Sequence, residues 1–289
     1  MTLCFFASDL HGRPGRYHKL FQAAAYELPD AVFLGGDLLP SGFGMASGGW
    51  EDFIEEVLVA GFSELRDRLG SQYPSVFLIL GNDDGKYEEF RMEEMEGKGL
   101  WFYAHNKRVC WQDYSIFGYS YVPPTPFLLK DWERYDVSIY TEPGCISPEE
   151  GWRSVPVSQG SIRNATIQDD LQRLTEGADL SRAIFLFHTP PYRTALDRAA
   201  LDRKKIDHVE VDVHVGSIAV RRFIESRQPL LTLHGHIHES ASITGSWRDR
   251  IGKTFAFSAA HSGRELALVR FDPADLEHAT RELIPVALE

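Results

Sequence analysis

Leu230-Leu231-Thr232-Leu233-His234-Gly235-His236-Ile237-His238 is the stretch whose reading decides the fold. An apolar run of strand-like composition stops at a glycine and then offers histidines at alternating positions. Neutral imidazole is a common ligand for divalent transition metals, and glycine lets the backbone turn sharply enough to aim two rings into one space. The stretch therefore reads as a strand that delivers metal ligands from its carboxyl end.

Four other apolar runs end in the same way. Residues 3–7 close on Ser8-Asp9-Leu10-His11-Gly12, and residues 31–34 close on Gly35-Gly36-Asp37. Residues 76–80 lead into Gly81-Asn82-Asp83-Asp84-Gly85, and residues 183–187 into His188-Thr189-Pro190-Pro191. Between the first three runs lie helical spacings, at 17–28 with Leu20, Phe21, Ala24 and Ala25 on one face, and at 51–69. Strand, helix, strand, helix, strand predicts a buried parallel sheet and an α/β fold.

Downstream, residues 108–111 and 114–117 predict a strand pair turning at Gln112-Asp113. Residues 119–160 form an irregular insertion in which aromatic residues alternate with prolines, expected as a wall or lid over the site. Ser161 is the expected cap of a helix to Leu174, and Ser217 of one through Ile224. Short apolar runs around Ile243, Phe255 and Leu266 predict antiparallel strands closing a second sheet. A glycine-rich loop at 40–49 is expected to be mobile.

The 289 residues, 43% hydrophobic, suffice for a full core, and because the candidate ligands run from Asp9 to His238 a single domain, 1–289, is expected. Net charge of -12 argues against nucleic-acid or anionic-membrane binding, where cationic surface supplies most of the affinity. Cys4, Cys110 and Cys145 are odd in number and widely spaced, which points to a reducing, cytoplasmic setting. The apolar start is too short for a signal core, and no window reaches the length of a membrane span.

In open α/β sheets ligands gather outside the carboxyl ends of the strands, so the five loops should converge. Asp9, His11, Asp37, Asn82, His188, His236 and His238 are more donors than one ion needs. With Asp37 as a bridge, two ions would each receive four. Carboxylate, amide and imidazole donors suit manganese, iron or zinc. Two divalent ions about 3.5–4 Å apart suit hydrolysis of a phosphate ester. His234 lies on the other strand face and is placed outside the direct ligand set.

Asp9-x-His11, Gly36-Asp37, Gly81-Asn82, His188 and Gly235-His236-x-His238, in that order, resemble the calcineurin-like metallophosphoesterase superfamily, and in particular bacterial phosphoesterases of unassigned substrate. The resemblance implies a four-layer α/β/β/α sandwich of two mixed sheets flanked by helices. It also implies Asp9, His11, Asp37 and His238 on one metal, Asp37, Asn82, His188 and His236 on the other, and a hydroxide shared between them as nucleophile.

Two departures stand out. Most members of the superfamily follow the asparagine with a histidine; here Asp83 takes its place, and Asp83, Asn82 and Asp37 are the candidates for catalytic contact. His105, His214 and His261 are other candidates for the proton donor. The arginine that protein Ser/Thr phosphatases carry shortly after the aspartate is missing from Gly36-Asp37-Leu38-Leu39-Pro40-Ser41, which disfavours a protein substrate. Tyr192, Arg193, Lys130 and Arg134 are candidate phosphate contacts. The expected activity is hydrolysis of a small phosphomonoester or phosphodiester. Alternatives are a nuclease, which the acidic charge disfavours, and a non-catalytic metal-binding scaffold, which would tend to have lost ligands.

Overall fold

The computed structural model describes residues 2–40, 52–206 and 208–286. The loop expected at 40–49 lies, apart from Pro40, outside them. The first half of the chain runs β1 (Cys4–Ala7), α1 (Pro14–Glu27), β2 (Ala31–Gly35), a π-helical segment Ile54–Val59 continuing into α2 (Ala60–Leu69), β3 (Ser75–Ile79), α3 (Glu89–Gly97) and β4 (Phe102–Tyr103). Next come β5 (Arg108–Trp111), β6 (Tyr114–Tyr119), α4 (Gln159–Arg163), α5 (Ile167–Leu174) and β7 (Ala183–Phe187). A small hairpin of β8 (Lys205–Ile206) and β9 (Val209–Glu210) precedes α6 (Ile218–Arg227) and β10 (Leu231–His234). The chain closes with α7 (Ser240–Thr244), β11 (Arg248–Ile251), β12 (Thr254–Ser258), β13 (Leu266–Asp272) and β14 (Asp275–Ile284).

Two six-stranded sheets result, in the orders β14-β13-β1-β2-β3-β4 and β11-β12-β10-β7-β6-β5. The inner strands of each are parallel, and antiparallel strands lie at the β14 edge of the first and at both edges of the second. Strand alternation sorts the side chains into two sets. Phe6, Phe33 and Phe77 share a buried cluster with Ile184, Leu186, Leu231 and Leu233 of the second sheet. Their neighbours Phe5, Val32 and Val76 join a second cluster with Tyr17 and Leu20 of α1 and Phe62 and Leu65 of α2. On the other side Phe185 packs against Phe223 of α6, ring centroids 5.1 Å apart. Strands buried on both faces explain why the sequence shows unbroken apolar runs rather than alternation. The four-layer α/β/β/α sandwich is thus the observed architecture.

Several local expectations are corrected. Helix α1 starts at Pro14, whose fixed φ suits a first turn, and ends where Leu28 turns left-handed at φ 52°. Ser161 caps nothing. Ser158 caps the short α4 and Thr166 caps α5, each accepting the N–H three residues on. Ile243 lies in α7, which a left-handed Gly245 terminates, not in a strand. Phe255 and Phe257 belong to β12, which runs parallel to β10, while β13 crosses to the first sheet and pairs antiparallel with β1. An apolar run carries no mark of its partner, so the sequence alone does not assign these strands. The hairpin at 108–117 has the expected turn, with Trp111 opposite Tyr114.

Candidate metal centre

Every candidate ligand sits within four residues of a strand's carboxyl end. Asp9, Asp37 and Asn82 follow β1, β2 and β3, whereas His188 follows β7 directly, and His236 and His238 follow β10. The β1 and β2 loops run side by side, with the His11 N–H donating to the Asp37 carbonyl at 2.8 Å. The β7 and β10 loops are tied by the Gly235 N–H to the His188 carbonyl at 2.9 Å.

These loops bring donor atoms into two groups. One atom each from Asp9, His11, Asp37 and His238 lie within 4.8 Å of one another, and so do atoms of Asp37, His188 and His236. Ligand bonds of about 2.0–2.2 Å allow two donors on one ion up to about 4.4 Å apart, and the closest pairs of each group fall inside that span. Asp37 belongs to both. His188 Nε2 is 3.2 Å from Asp37 Oδ2 and 3.1 Å from Asn82 Oδ1. His11 Nε2 and His238 Nε2 are 3.0 Å apart, and His238 Nε2 is 3.2 Å from Asp9 Oδ1.

The backbone at the site is strained toward this convergence. Asp9, His11, Asp37 and His236 all have φ between 48° and 73°, a left-handed region that residues other than glycine rarely occupy. Gly235 is required by close approach, since a Cβ there would strike Ser8 Oγ and come within 2.6 Å of Asp9 Oδ2.

Electrostatics and unmet valences both favour cations. Asp9 is fully buried, and among the described residues its Oδ2 has no hydrogen-bond partner. Burial opposes ionisation of Asp9 and Asp37, but the histidines around them prevail, holding Asp9 far below the usual carboxylate range and Asp37 at about 2. Burial likewise opposes a charge on His188, yet Asp37 and Asp9 lift it to about 10. Burial pulls His236 down to about 3. Two ionised buried carboxylates that share imidazoles, one with an orphan oxygen, form a donor set that divalent cations fit.

Surrounding groups fix the donors in place. The Gly35 carbonyl lies 2.8 Å from His188 Nδ1 and orients the ring so that Nε2 faces Asp37. The Arg16 guanidinium donates to the Asp9 carbonyl. Asp84, fully buried, accepts the N–H groups of Leu38, Leu39 and Gly81 at 3.1, 2.7 and 2.8 Å, locking the Asp37 loop to the Asn82 loop. Burial and Asp37 push Asp84 up to about 8. Asp84 was visible only as the second of two adjacent acids, with nothing to say which one turns inward. His234 bonds the Thr189 carbonyl at 2.9 Å, supporting the loop that carries His188.

Asp83 stands at the cluster's edge. Its Oδ2 is 3.4 Å from His11 Nδ1, and its N–H donates to Asp37 Oδ1 at 2.8 Å. Burial and then Asp37 raise its carboxyl, while the histidines pull it back. The other proton-donor candidates bond residues outside the ligand set: His214 bonds Asp197, His261 bonds Glu265, and His105 accepts the Ser120 N–H. Lys130 is not a phosphate contact, because it is fully buried and donates to Glu133 and the Thr125 carbonyl. Tyr192 donates to Asp212, with the Arg193 guanidinium 5.2 Å from its ring. Arg134 is engaged with Asp170.

This fold and this arrangement of donors define a metallophosphoesterase. The family model for calcineurin-like phosphoesterases matches residues 4–240, and the chain belongs to that family. Among solved structures it is similar to TT1561 of Thermus thermophilus, at 18% identity and a TM-score of 0.55 over 98% of this chain and 99% of that one. It is also similar to a dimetal phosphatase from Danio rerio, at 12% identity and a TM-score of 0.50 over 93% and 92% of the two chains. At such identities the likeness concerns the fold alone. No curated protein matches the chain significantly. Among the described residues, no helix is long and apolar enough to cross a membrane.

Proposed function

We propose that the protein is a dinuclear metal-dependent phosphoesterase acting on a small phosphorylated substrate. The observation that carries this reading is the double membership of Asp37, whose carboxylate is common to the two donor groups. Asp9, His11, Asp37 and His238 would hold one cation, and Asp37, Asn82, His188 and His236 the other. When bound, such ions supply Lewis acidity that offsets phosphoryl charge and makes water nucleophilic near neutral pH. Asn82 contributes its amide oxygen beside His188. Asp83, whose carboxyl lies 3.4 Å from His11 and is raised by burial and Asp37, is the group at the rim placed to pass a proton to the departing oxygen.

The test is to load the purified protein with manganese, iron or zinc, measure bound metal, and screen phosphomonoesters, cyclic nucleotides and dinucleoside polyphosphates. Two equivalents of metal with metal-dependent turnover of one class is the expected result. A doubly loaded protein inert toward all of them sinks the proposal.

A further inference from the structure

A cavity of about 360 Å³, within the size range of small-molecule sites, is joined to the ligand cluster through the loops that follow β3 and β6. Its walls come from Lys86 and Glu89 after β3, His105 and Lys107 after β4, Tyr121 beyond β6, Arg134 of the 119–160 insertion and Asp170 of α5. Two links join it to the cluster. Asn82 and Lys86 are four residues apart, so their Cα atoms lie within about 14 Å. The His188 N–H donates to the Tyr119 carbonyl at 3.2 Å, two residues before Tyr121.

The lining sets three cations, Lys86, Lys107 and Arg134, against two carboxylates, Glu89 and Asp170, in a chain of net charge -12. Lys86 Nζ makes one hydrogen bond among the described residues, to the Tyr121 hydroxyl at 2.9 Å, and its nearest carboxylate, Glu89, is 3.9 Å away. An ammonium has three donors, so two of Lys86's are left for a ligand. The group is held over the Trp132 ring, 4.4 Å from its centroid, and the Arg134 guanidinium lies 4.0 Å over the Tyr121 ring. Stacking fixes both cations, and their carboxylate partners are Glu89 at 3.9 Å from Lys86 and Asp170 at 2.6 Å from Arg134. Asp170 does not neutralise Arg134 fully, because it also accepts from Arg173 and Tyr119. Lys107 is taken up by Glu96 at 2.9 Å and adds little. His105 reports the local sign: burial first, then Lys86, Arg134 and Lys107, drive it well below its ordinary pKa.

We infer that this cavity is a second anion subsite, in which Lys86 and Arg134 bind a phosphate or carboxylate carried on the part of the substrate remote from the scissile ester. The inference rests on the proposed phosphoesterase reading and narrows its substrate class. The preferred substrate is a phosphate ester that carries a second anionic group. Lys86 is then a specificity-determining residue rather than part of the hydrolytic chemistry.

Two measurements test it on the full, metal-loaded chain. Calorimetric titration with inorganic phosphate should show two sites, one of which disappears in Lys86→Met and persists in Lys86→Arg. A single site in the wild type, or two in folded Lys86→Met, overturns the inference. In kinetics, phenyl phosphate is compared with 4-carboxyphenyl phosphate and 1,4-phenylene bisphosphate. The second anion should raise kcat/KM about 10-fold, chiefly through KM, the size of a charge-assisted contact. That ratio should fall to near one in Lys86→Met. Preference for the bisphosphate alone identifies phosphate as the recognised group, and a gain for both identifies the shared negative charge. A wild-type ratio near one overturns the subsite. Inertness toward all three esters with both phosphate sites intact overturns the hydrolytic reading and leaves the subsite standing.

Discussion

Asp84 Oδ1 accepts the Leu39 N–H at 2.7 Å, and this bond ties the loop that carries Asn82 to the loop that carries Asp37. The same carboxyl takes the N–H groups of Leu38 and Gly81, so three buried donors depend on one side chain. Removing the acceptor strands them, at about 1–3 kcal/mol each. Asp84→Ala is therefore expected to lower unfolding free energy by about 3 kcal/mol or more in a urea titration. Asp84→Asn, which keeps one acceptor oxygen, should cost less. Equal stability of Asp84→Ala and the wild type would show that the loops do not need this clamp.

Metal stoichiometry should separate the shared ligand from the unshared ones. Asp37→Ala removes a donor common to both groups, whereas His11→Ala touches one group only. The expected outcome by elemental analysis is about two ions in the wild type, one in His11→Ala and fewer than one in Asp37→Ala. Activity should fall by at least about 100-fold in Asp37→Ala, since the Lewis-acid contribution is worth several kcal/mol. Full metal content in Asp37→Ala contradicts a shared site.

The dependence on leaving group tests Asp83. A positioned proton donor contributes about 100-fold or more when the departing oxygen is basic, and little when it is a stabilised phenolate. Asp83→Ala should accordingly depress hydrolysis of alkyl phosphates by about 100-fold and that of nitrophenyl phosphate by less than about 10-fold. Parallel losses on the two substrates would assign Asp83 to support of His11 instead.

The candidate donors were legible because their chemistry is written locally. An aspartate, asparagine or histidine just past an apolar run needs only the rule that such ends converge, and Asp9, Asp37, Asn82, His188 and His236 converge here. Partnership between strands was not legible: β13 pairs with β1 across more than two hundred residues, and nothing in Leu266 to Phe271 says so. Helix α3 was missed because its buried face rests on two methionines, Met92 and Met95, among acidic residues. Lys130 misled for a related reason, since a lysine enclosed with Glu133 reads in sequence like any surface cation. Of the insertion expected as a wall or lid, Tyr121 and Arg134 line a cavity.

Acid stability offers a test independent of metal. His105 is buried beside Lys86, Arg134 and Lys107, and burial foremost holds its pKa well below 6.5. A histidine depressed in the folded state contributes stability that is fully present above its unfolded pKa of about 6.5 and lost as pH falls through the window beneath it, because the unfolded chain takes up a proton that the folded one refuses. The slope is about 1.4 kcal/mol per pH unit for one such group. His105→Asn offers an oxygen where Nδ1 accepts the Ser120 N–H, and it does not titrate. Wild type minus variant should therefore be flat above about pH 7 and decline by about 1.4 kcal/mol per unit from pH 6.5 toward pH 5. Parallel stability curves across that range would mean that His105 accepts a proton in the folded protein, and that the cations around it are neutralised.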